Sequence, residues 1–247
     1  MDETTHRYFI QFSYDGSDYH GWQRQPNGNS VQAELERALS LLLRQEIETV
    51  GAGRTDAGVH ARMMIAHFDT PAILDEAQTT YRINRILPHA IAVDYIFRVP
   101  NDMHARFSAI SRTYHYYIHT RKNPFVWRYS CPIHYLLDFE KMNLAAEMLK
   151  SHDDFGAFCK SHTDVKTTLC KVTEAKWEAL SDGQYQFVIS ANRFLRNMVR
   201  AIVGTLIDVG RGKISLDDFK TILDSGNRSQ AGESMPGNAL FLWEVKY

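Results

Sequence analysis

The stretch that decides the fold is Tyr8-Phe-Ile-Gln-Phe-Ser-Tyr14, followed after a polar loop by Ser30-Val-Gln-Ala-Glu-Leu-Glu-Arg-Ala-Leu-Ser-Leu-Leu-Leu-Arg44. The first piece is aromatic and β-rich and reads as a strand. In the second, Ser30 stands where an N-cap belongs, and Val31, Leu35, Ala38, Leu39 and Leu42 recur at helical spacing. Further along the chain, Ile47 to Val50 reads as a short strand and Met63 to Phe68 as another. Asp75 to Leu87 reads as a helix stopped by Pro88, and Ala90 to Val99 as a strand stopped by Pro100. The order is β-α-β-β-α-β, the ferredoxin-like arrangement. The rest of the chain repeats it. Ser111 to Thr120 is a strand and Asp138 to Lys150 a helix. Thr168 to Leu180 and Gln184 to Ala191 form a hairpin around Ser181-Asp-Gly183. Phe194 to Val209 is an amphipathic helix, Leu216 to Leu223 a shorter one, and Ala239 to Val245 a closing strand. The expectation is an α+β protein with domains at 1–104 and 105–247. Polar segments at Arg121 to Tyr135 and Ser225 to Gly237 are candidate functional loops.

Composition narrows the class of function. The chain has 247 residues, with 44% hydrophobic and 23% charged, which is ordinary globular usage and excludes global disorder, collagen and coiled coil. The most aliphatic stretch, Ala201 to Ile207, is too short to span a bilayer. The start, Met1-Asp-Glu-Thr-Thr-His6, carries no signal pattern, and three cysteines without a CxxC pair fit a reducing cytoplasm. The net charge of −1 hides an asymmetry. Residues 1–104 carry 9 Lys and Arg against 14 Asp and Glu, whereas residues 105–247 carry 19 against 15. Arginines outnumber lysines 18 to 10, which suits planar recognition of carboxylate or phosphate.

The densest chemical motif is Gly51-Ala-Gly-Arg-Thr-Asp-Ala-Gly-Val-His-Ala61. Its glycine spacing is not that of a dinucleotide fingerprint, no helix follows directly, and there is no GK[ST]. What remains is a single carboxylate, Asp56, with Arg54 two residues before it. A neighbouring guanidinium favours the ionised carboxylate, which can serve as nucleophile or base. The same composition also fits a tight turn whose aspartate caps backbone N–H groups. On Ser111-Arg-Thr-Tyr-His-Tyr-Tyr-Ile-His119, alternation places Arg112, Tyr114, Tyr116 and Ile118 on one face, as a base-stacking platform or as a mixed aromatic core. Arg193, Arg196, Asn197 and Arg200 fall at i, i+3, i+4 and i+7. They make one polar stripe of the expected helix, suited to phosphates or simply solvated. Cys159-x-x-His162, with Cys170 and His152 nearby, matches no common closed zinc site, so no metal is expected. His60 is expected to hydrogen-bond loop backbone, and Trp22 and Tyr19 to pack.

These motifs resemble, in the same order, those of the TruA family of tRNA pseudouridine synthases. Gly-Arg-Thr-Asp-Ala-Gly-Val-His resembles its active-site motif. Tyr14-Asp-Gly-Ser-Asp-Tyr-His-Gly-Trp-Gln-Arg-Gln25 with Ser30-Val-Gln32 is similar to its first strand, loop and helix. Phe107-Ser-Ala-Ile-Ser-Arg-Thr-Tyr-His-Tyr116 resembles the strand with its active-site tyrosine. Phe194-Leu-Arg-Asn-Met-Val-Arg-Ala-Ile-Val-Gly204 resembles the helix with its second active-site arginine. The resemblance implies isomerisation of uridine to pseudouridine at positions 38 to 40 of the tRNA anticodon arm. It makes Asp56 the nucleophile, Tyr114 the residue stacked on the target uracil and Arg200 the arginine paired with the aspartate. Arg54 becomes the motif arginine that helps displace the target base. Arg193, Arg196 and Leu240 are the further expected substrate contacts. The closing segment departs from the family, with Ala239 and Phe241 where a glycine and a tyrosine are usual. The reaction leaves net composition unchanged, so no cofactor is expected. The expectation is a cytoplasmic protein whose two ferredoxin-like halves share one extended antiparallel sheet, with the active-site cleft between them; the resemblance also implies a homodimer. A synthase for another RNA position, or a non-catalytic tRNA-binding protein, are the alternatives.

Overall fold

The computed structural model describes residues 5–26, 28–160, 166–181 and 183–247. The acidic first residues, His162 and the Asp182 of the hairpin turn lie outside the described residues. The protein is α+β and divides into two compact units, Met1–Ile110 with Leu242–Tyr247, and Ser111–Phe241.

The first unit holds β1 (His6–Tyr14), α1 (Val31–Leu43), β2 (Val50–Gly51), β3 (His60–Thr70), α2 (Glu76–Asn84) and β4 (Ile91–Val99). β1 runs antiparallel between β3 and β4, and β2 pairs with the other edge of β3, giving the ferredoxin-like order. Ser30 caps α1 by accepting the Ala33 N–H at 3.3 Å, and the helix stops where Arg44 turns left-handed. Val31, Leu35, Ala38 and Leu39 are fully buried, as are Tyr8, Ile10 and Phe12 of β1. Each large apolar side chain among them contributes roughly 1.5–3 kcal/mol. Phe9 points to the opposite face of β1, where its ring lies 5.0 Å from that of Tyr247.

The second unit holds β5 (Ser111–His119), β6 (Cys131–Pro132), α3 (Phe139–Met148), β7 (Val172–Ala179), β8 (Gln184–Ala191), α4 (Met198–Gly210) and α5 (Leu216–Ser225). β8 pairs antiparallel with both β5 and β7. The two-residue β6 adds to β5 in parallel, a pairing that sequence alone does not suggest. Asn143 of α3 brackets the Trp177 backbone, donating to its carbonyl at 3.2 Å and accepting its N–H at 2.7 Å, so α3 is pinned to β7. α5 opens on a reciprocal capping box between Ser215 and Asp218. α4 is buried on nearly every side. The last strand, β9 (Leu240–Lys246), lies beside β3 in the first unit from Leu242 onward. No helix of the described residues is long and apolar enough to cross a membrane.

One expected element is corrected. The helix read from Phe194 begins at Met198, because Asn197 adopts a left-handed conformation, φ 68°. The apolar periodicity of 194–197 belongs to an irregular segment whose backbone is engaged elsewhere: the Arg196 carbonyl accepts the Lys160 N–H at 3.0 Å. Arg193 and Arg196 therefore stand before the helix and form no stripe on it with Arg200.

Candidate active site

In the first unit, the loop from Ala52 to Val59 joins β2 to β3 and carries Arg54 and Asp56. It is tied at its start by the Ala52 N–H on the Ile65 carbonyl, 2.8 Å. Thr55 is its knot. The Thr55 hydroxyl lies 2.8 Å from the Tyr14 hydroxyl and accepts the Trp22 N–H at 3.1 Å. Beyond it, the Gly58 N–H donates to the Tyr19 carbonyl at 3.2 Å, and the Val59 N–H closes the turn on the Asp56 carbonyl at 3.2 Å. Trp22 and Tyr19 belong to the 15–29 loop, which lies against the motif because Gly21 permits it. Its φ is +92°, and a Cβ there would stand 2.2 Å from the Thr55 carbonyl oxygen. Buried His60 meets the same loop. Its Nδ1 accepts the Gly16 N–H at 3.0 Å and lies 3.1 Å from an Asp15 carboxylate oxygen. One ring nitrogen cannot accept from the first and donate to the second at once. With the backbone on either side of it held, Asp56 sits half-buried, whereas Arg54 is exposed.

The other expected residues belong to the second unit. Tyr114 sits mid-strand on β5 opposite Ile189 of β8, is only 8% exposed, and meets the Phe194 ring edge-on at 5.0 Å. Beside it, the Thr113 and Ser190 hydroxyls are 2.8 Å apart, which ties β5 to β8 through side chains as well. Arg193 reaches the Thr167 carbonyl at 3.4 Å, and Arg196 is exposed. Leu240 is buried, with Ala239 fully buried before it. Phe241 meets the Tyr117 and Tyr129 rings edge-on at 5.4 and 6.2 Å. Cys159 and Cys170 are buried thiols, and burial pushes Cys170 up to about 11.

Arg200 lies in the first turn of α4, where the helix dipole disfavours a cation. Its surroundings compensate. The Arg200 Nε donates to the Met235 carbonyl, and the Met235 N–H returns to the Arg200 carbonyl at 3.1 Å. The segment 231–236 passes over α4 as a strap. The sequence marks 225–237 as a candidate functional loop but does not single out Arg228, Ser234 or Met235. Gly204, set within a mostly apolar helix, signals that another backbone comes close: a Cβ there would stand 1.9 Å from the Glu233 carbonyl oxygen. At the far end of the strap, the fully buried Tyr116 hydroxyl donates to the Pro236 carbonyl at 3.0 Å. Burial holds that phenol far above its ordinary range, so it remains a donor.

Similarity to known proteins identifies the family. A family profile described as tRNA pseudouridine synthase matches residues 10–108 and 145–247. The chain belongs to that family. It is 55% identical to a "tRNA pseudouridine synthase A" of Bacteroides fragilis over 98% of this chain and 96% of that protein. A protein of the same name from Porphyromonas gingivalis is 52% identical over 98% and 97%, and one from Bacillus subtilis 41% identical over 95% and 96%. The pseudouridine synthase profile takes in Asp56, Arg54, Arg200 and Leu240. It passes over 109–144, the segment that holds Tyr114.

Proposed function

We propose that the chain isomerises uridine to pseudouridine in the anticodon arm of tRNA, at positions 38, 39 and 40, with Asp56 as the nucleophile. The observation that carries this reading is the Asp56 loop. A chain of the tRNA pseudouridine synthase family keeps a single half-buried carboxylate in a loop whose flanking backbone is fixed by Thr55, Gly58 and Val59. Binding alone gains nothing from such a carboxylate, since an anion repels the phosphates of RNA.

The reaction breaks the bond between uracil N1 and the sugar C1′, turns the base and joins C5 to C1′. The C5 proton is lost and N1 gains one. Asp56 acts by adding either to the base or to the anomeric carbon. The target nucleotide has to leave the helical stack, which costs a few kcal/mol. Tyr114 supplies an aromatic face that offsets part of that cost. Arg200 is the partner of the nucleophile and Arg54 assists displacement of the base. Arg193, Arg196 and Leu240 contact the substrate. The protein works in the cytoplasm as a homodimer, a state that light scattering of the purified chain checks. The deciding experiment incubates anticodon-arm transcripts labelled with tritium at uridine C5. Release of tritium, with pseudouridine mapped to positions 38–40, is the expected result. Tight binding without release supports the non-catalytic reading, and release mapped elsewhere supports a different RNA position.

A further inference from the structure

We propose that Arg228 and Ser234 are positioning residues that aim the Arg200 guanidinium through the 231–236 strap. The inference rests on Arg200 acting at the reacting carboxylate, and concerns what fixes its direction. A guanidinium can pair with a carboxylate side-on, through Nε and one Nη, or end-on, through both Nη nitrogens. In this protein Nε is committed to the Met235 carbonyl, so the end-on edge is the one turned to a carboxylate. That carbonyl therefore sets both the rotation and the reach of the group. Met235 also grips the Arg200 backbone through its own N–H at 3.1 Å, so the two ends of the arginine are held by one residue.

A carbonyl in a loop is only as fixed as its neighbours, and the neighbours are specific. Ser234 takes hydrogen bonds on its hydroxyl from the Asn197 amide and, at 2.8 Å, from Arg228 Nη2. Arg228 Nη1 donates to the Gly232 carbonyl at 3.0 Å and the Ala231 carbonyl at 3.3 Å. The Gly232 N–H donates to the Thr205 hydroxyl of α4 at 2.9 Å, and Thr205 donates on to the Ala201 carbonyl at 2.8 Å. One guanidinium thus ties three successive points of the strap together, at 231, 232 and 234, immediately before the carbonyl that holds Arg200. Asn197, the left-handed residue that starts α4, ties Ser234 to the helix that carries Arg200.

The test uses single-turnover rates and tRNA affinity of the full-length protein. Displacing a group by about 1 Å can cost ~100-fold in rate without touching the chemistry. Arg228→Gln is expected to slow the single-turnover step by roughly 10- to 100-fold, and Ser234→Ala by about 3- to 10-fold, with tRNA affinity within about twofold of the parent. The decisive arm repeats both changes in an Arg200→Lys background, which keeps a cation but has no Nε–H for Met235. Residues that act through Arg200 cause no further slowing there. Equal slowing in both backgrounds, an unchanged rate in the parent background, or affinity lost in step with rate overturns the proposal. Ser234→Ala removes one oxygen and carries the test if Arg228→Gln does not fold. The reading beneath is tested separately by Arg200→Gln: turnover at the parental rate removes Arg200 from the reacting centre, whatever Arg228 does.

Discussion

Asp56 and Arg200 are each held by a borrowed partner, but the borrowing differs in kind. The Asp56 loop takes its anchors from the end of β1 and the 15–29 loop, and the anchor in the motif itself is a side chain, the Thr55 hydroxyl, shared between Tyr14 and Trp22. Arg200 takes its anchor from a segment some thirty residues further on, and that anchor is a main-chain carbonyl. A side-chain anchor demands a residue type, so it leaves a motif. A carbonyl anchor demands only a path, so it leaves a glycine at the crossing point and little else. The lesson is that the same degree of constraint is written strongly in one unit and faintly in the other.

The largest effect is expected when the chemistry is removed and both scaffolds are kept. Asp56→Asn is expected to abolish turnover, by roughly 10⁴-fold or more, while thermal unfolding and tRNA affinity stay close to the parent. Retained tritium release from this variant would show that the carboxylate is only a turn residue. Next come the two crossing glycines, tested as a pair. Gly21→Ala forces a side chain into left-handed backbone, a strain of about 1–3 kcal/mol, and into the Thr55 carbonyl as well. It should lower both the melting temperature and the rate. Gly204→Ala meets the Glu233 carbonyl instead and gains about 1 kcal/mol of helix propensity. We expect it to slow the single-turnover step by ~10- to 100-fold with a smaller change in melting temperature than Gly21→Ala. The reverse order of stability losses would mean that the strap, not the 15–29 loop, is the more rigid support.

A smaller effect separates Tyr114 as platform from Tyr114 as core. Tyr114→Phe keeps the ring and its edge contact with Phe194, whereas Tyr114→Leu loses both. Leu should weaken binding of tRNA with a flipped base by ~1–3 kcal/mol more than Phe. The Leu variant also loses an aromatic pair worth about 0.5–1.5 kcal/mol of stability, so melting curves are measured alongside. A loss confined to melting temperature would assign the ring to the core. The smallest effect concerns exposed Arg196. Arg196→Gln should lower the slope of log affinity against log salt by roughly 1 and weaken all tRNAs alike. Arg200→Gln should leave that slope nearly unchanged. An unchanged slope for Arg196→Gln would place this side chain in plain solvent.

The residues differ in how readily the sequence betrays them. The strands and α1 are legible because one face of each is apolar and the ends carry Ser, Gly or Pro signals. The Asp56 loop is legible because three glycines and one carboxylate in eleven residues have few structural uses. The start of α4 is not, because 194–197 carries helical periodicity while Asn197 is turned left-handed, with its amide on Ser234, a tertiary contact that overrides local pattern. β6 is invisible for a related reason: two residues beside β5, one of them proline, make no period. The hold on Arg200 is hidden most deeply, since Met235 acts through an atom that every residue has.

The first unit is begun first and finished last. Leu242–Tyr247 belong to it, although the whole of Ser111–Phe241 is made before them. Chains leave the ribosome N-terminus first, so β1, β3 and β4 exist for seconds before the strand that completes their sheet. During that interval the side of β3 that β9 later covers offers open hydrogen-bonding groups, and Phe9 waits for the Tyr247 ring. Such an edge is a template for pairing with other chains. Ribosome-bound intermediates ending near residue 240 are therefore the species in which this protein is most exposed to misassembly. The loop carrying Asp56 settles into a finished unit only once the residues after Phe241 have arrived.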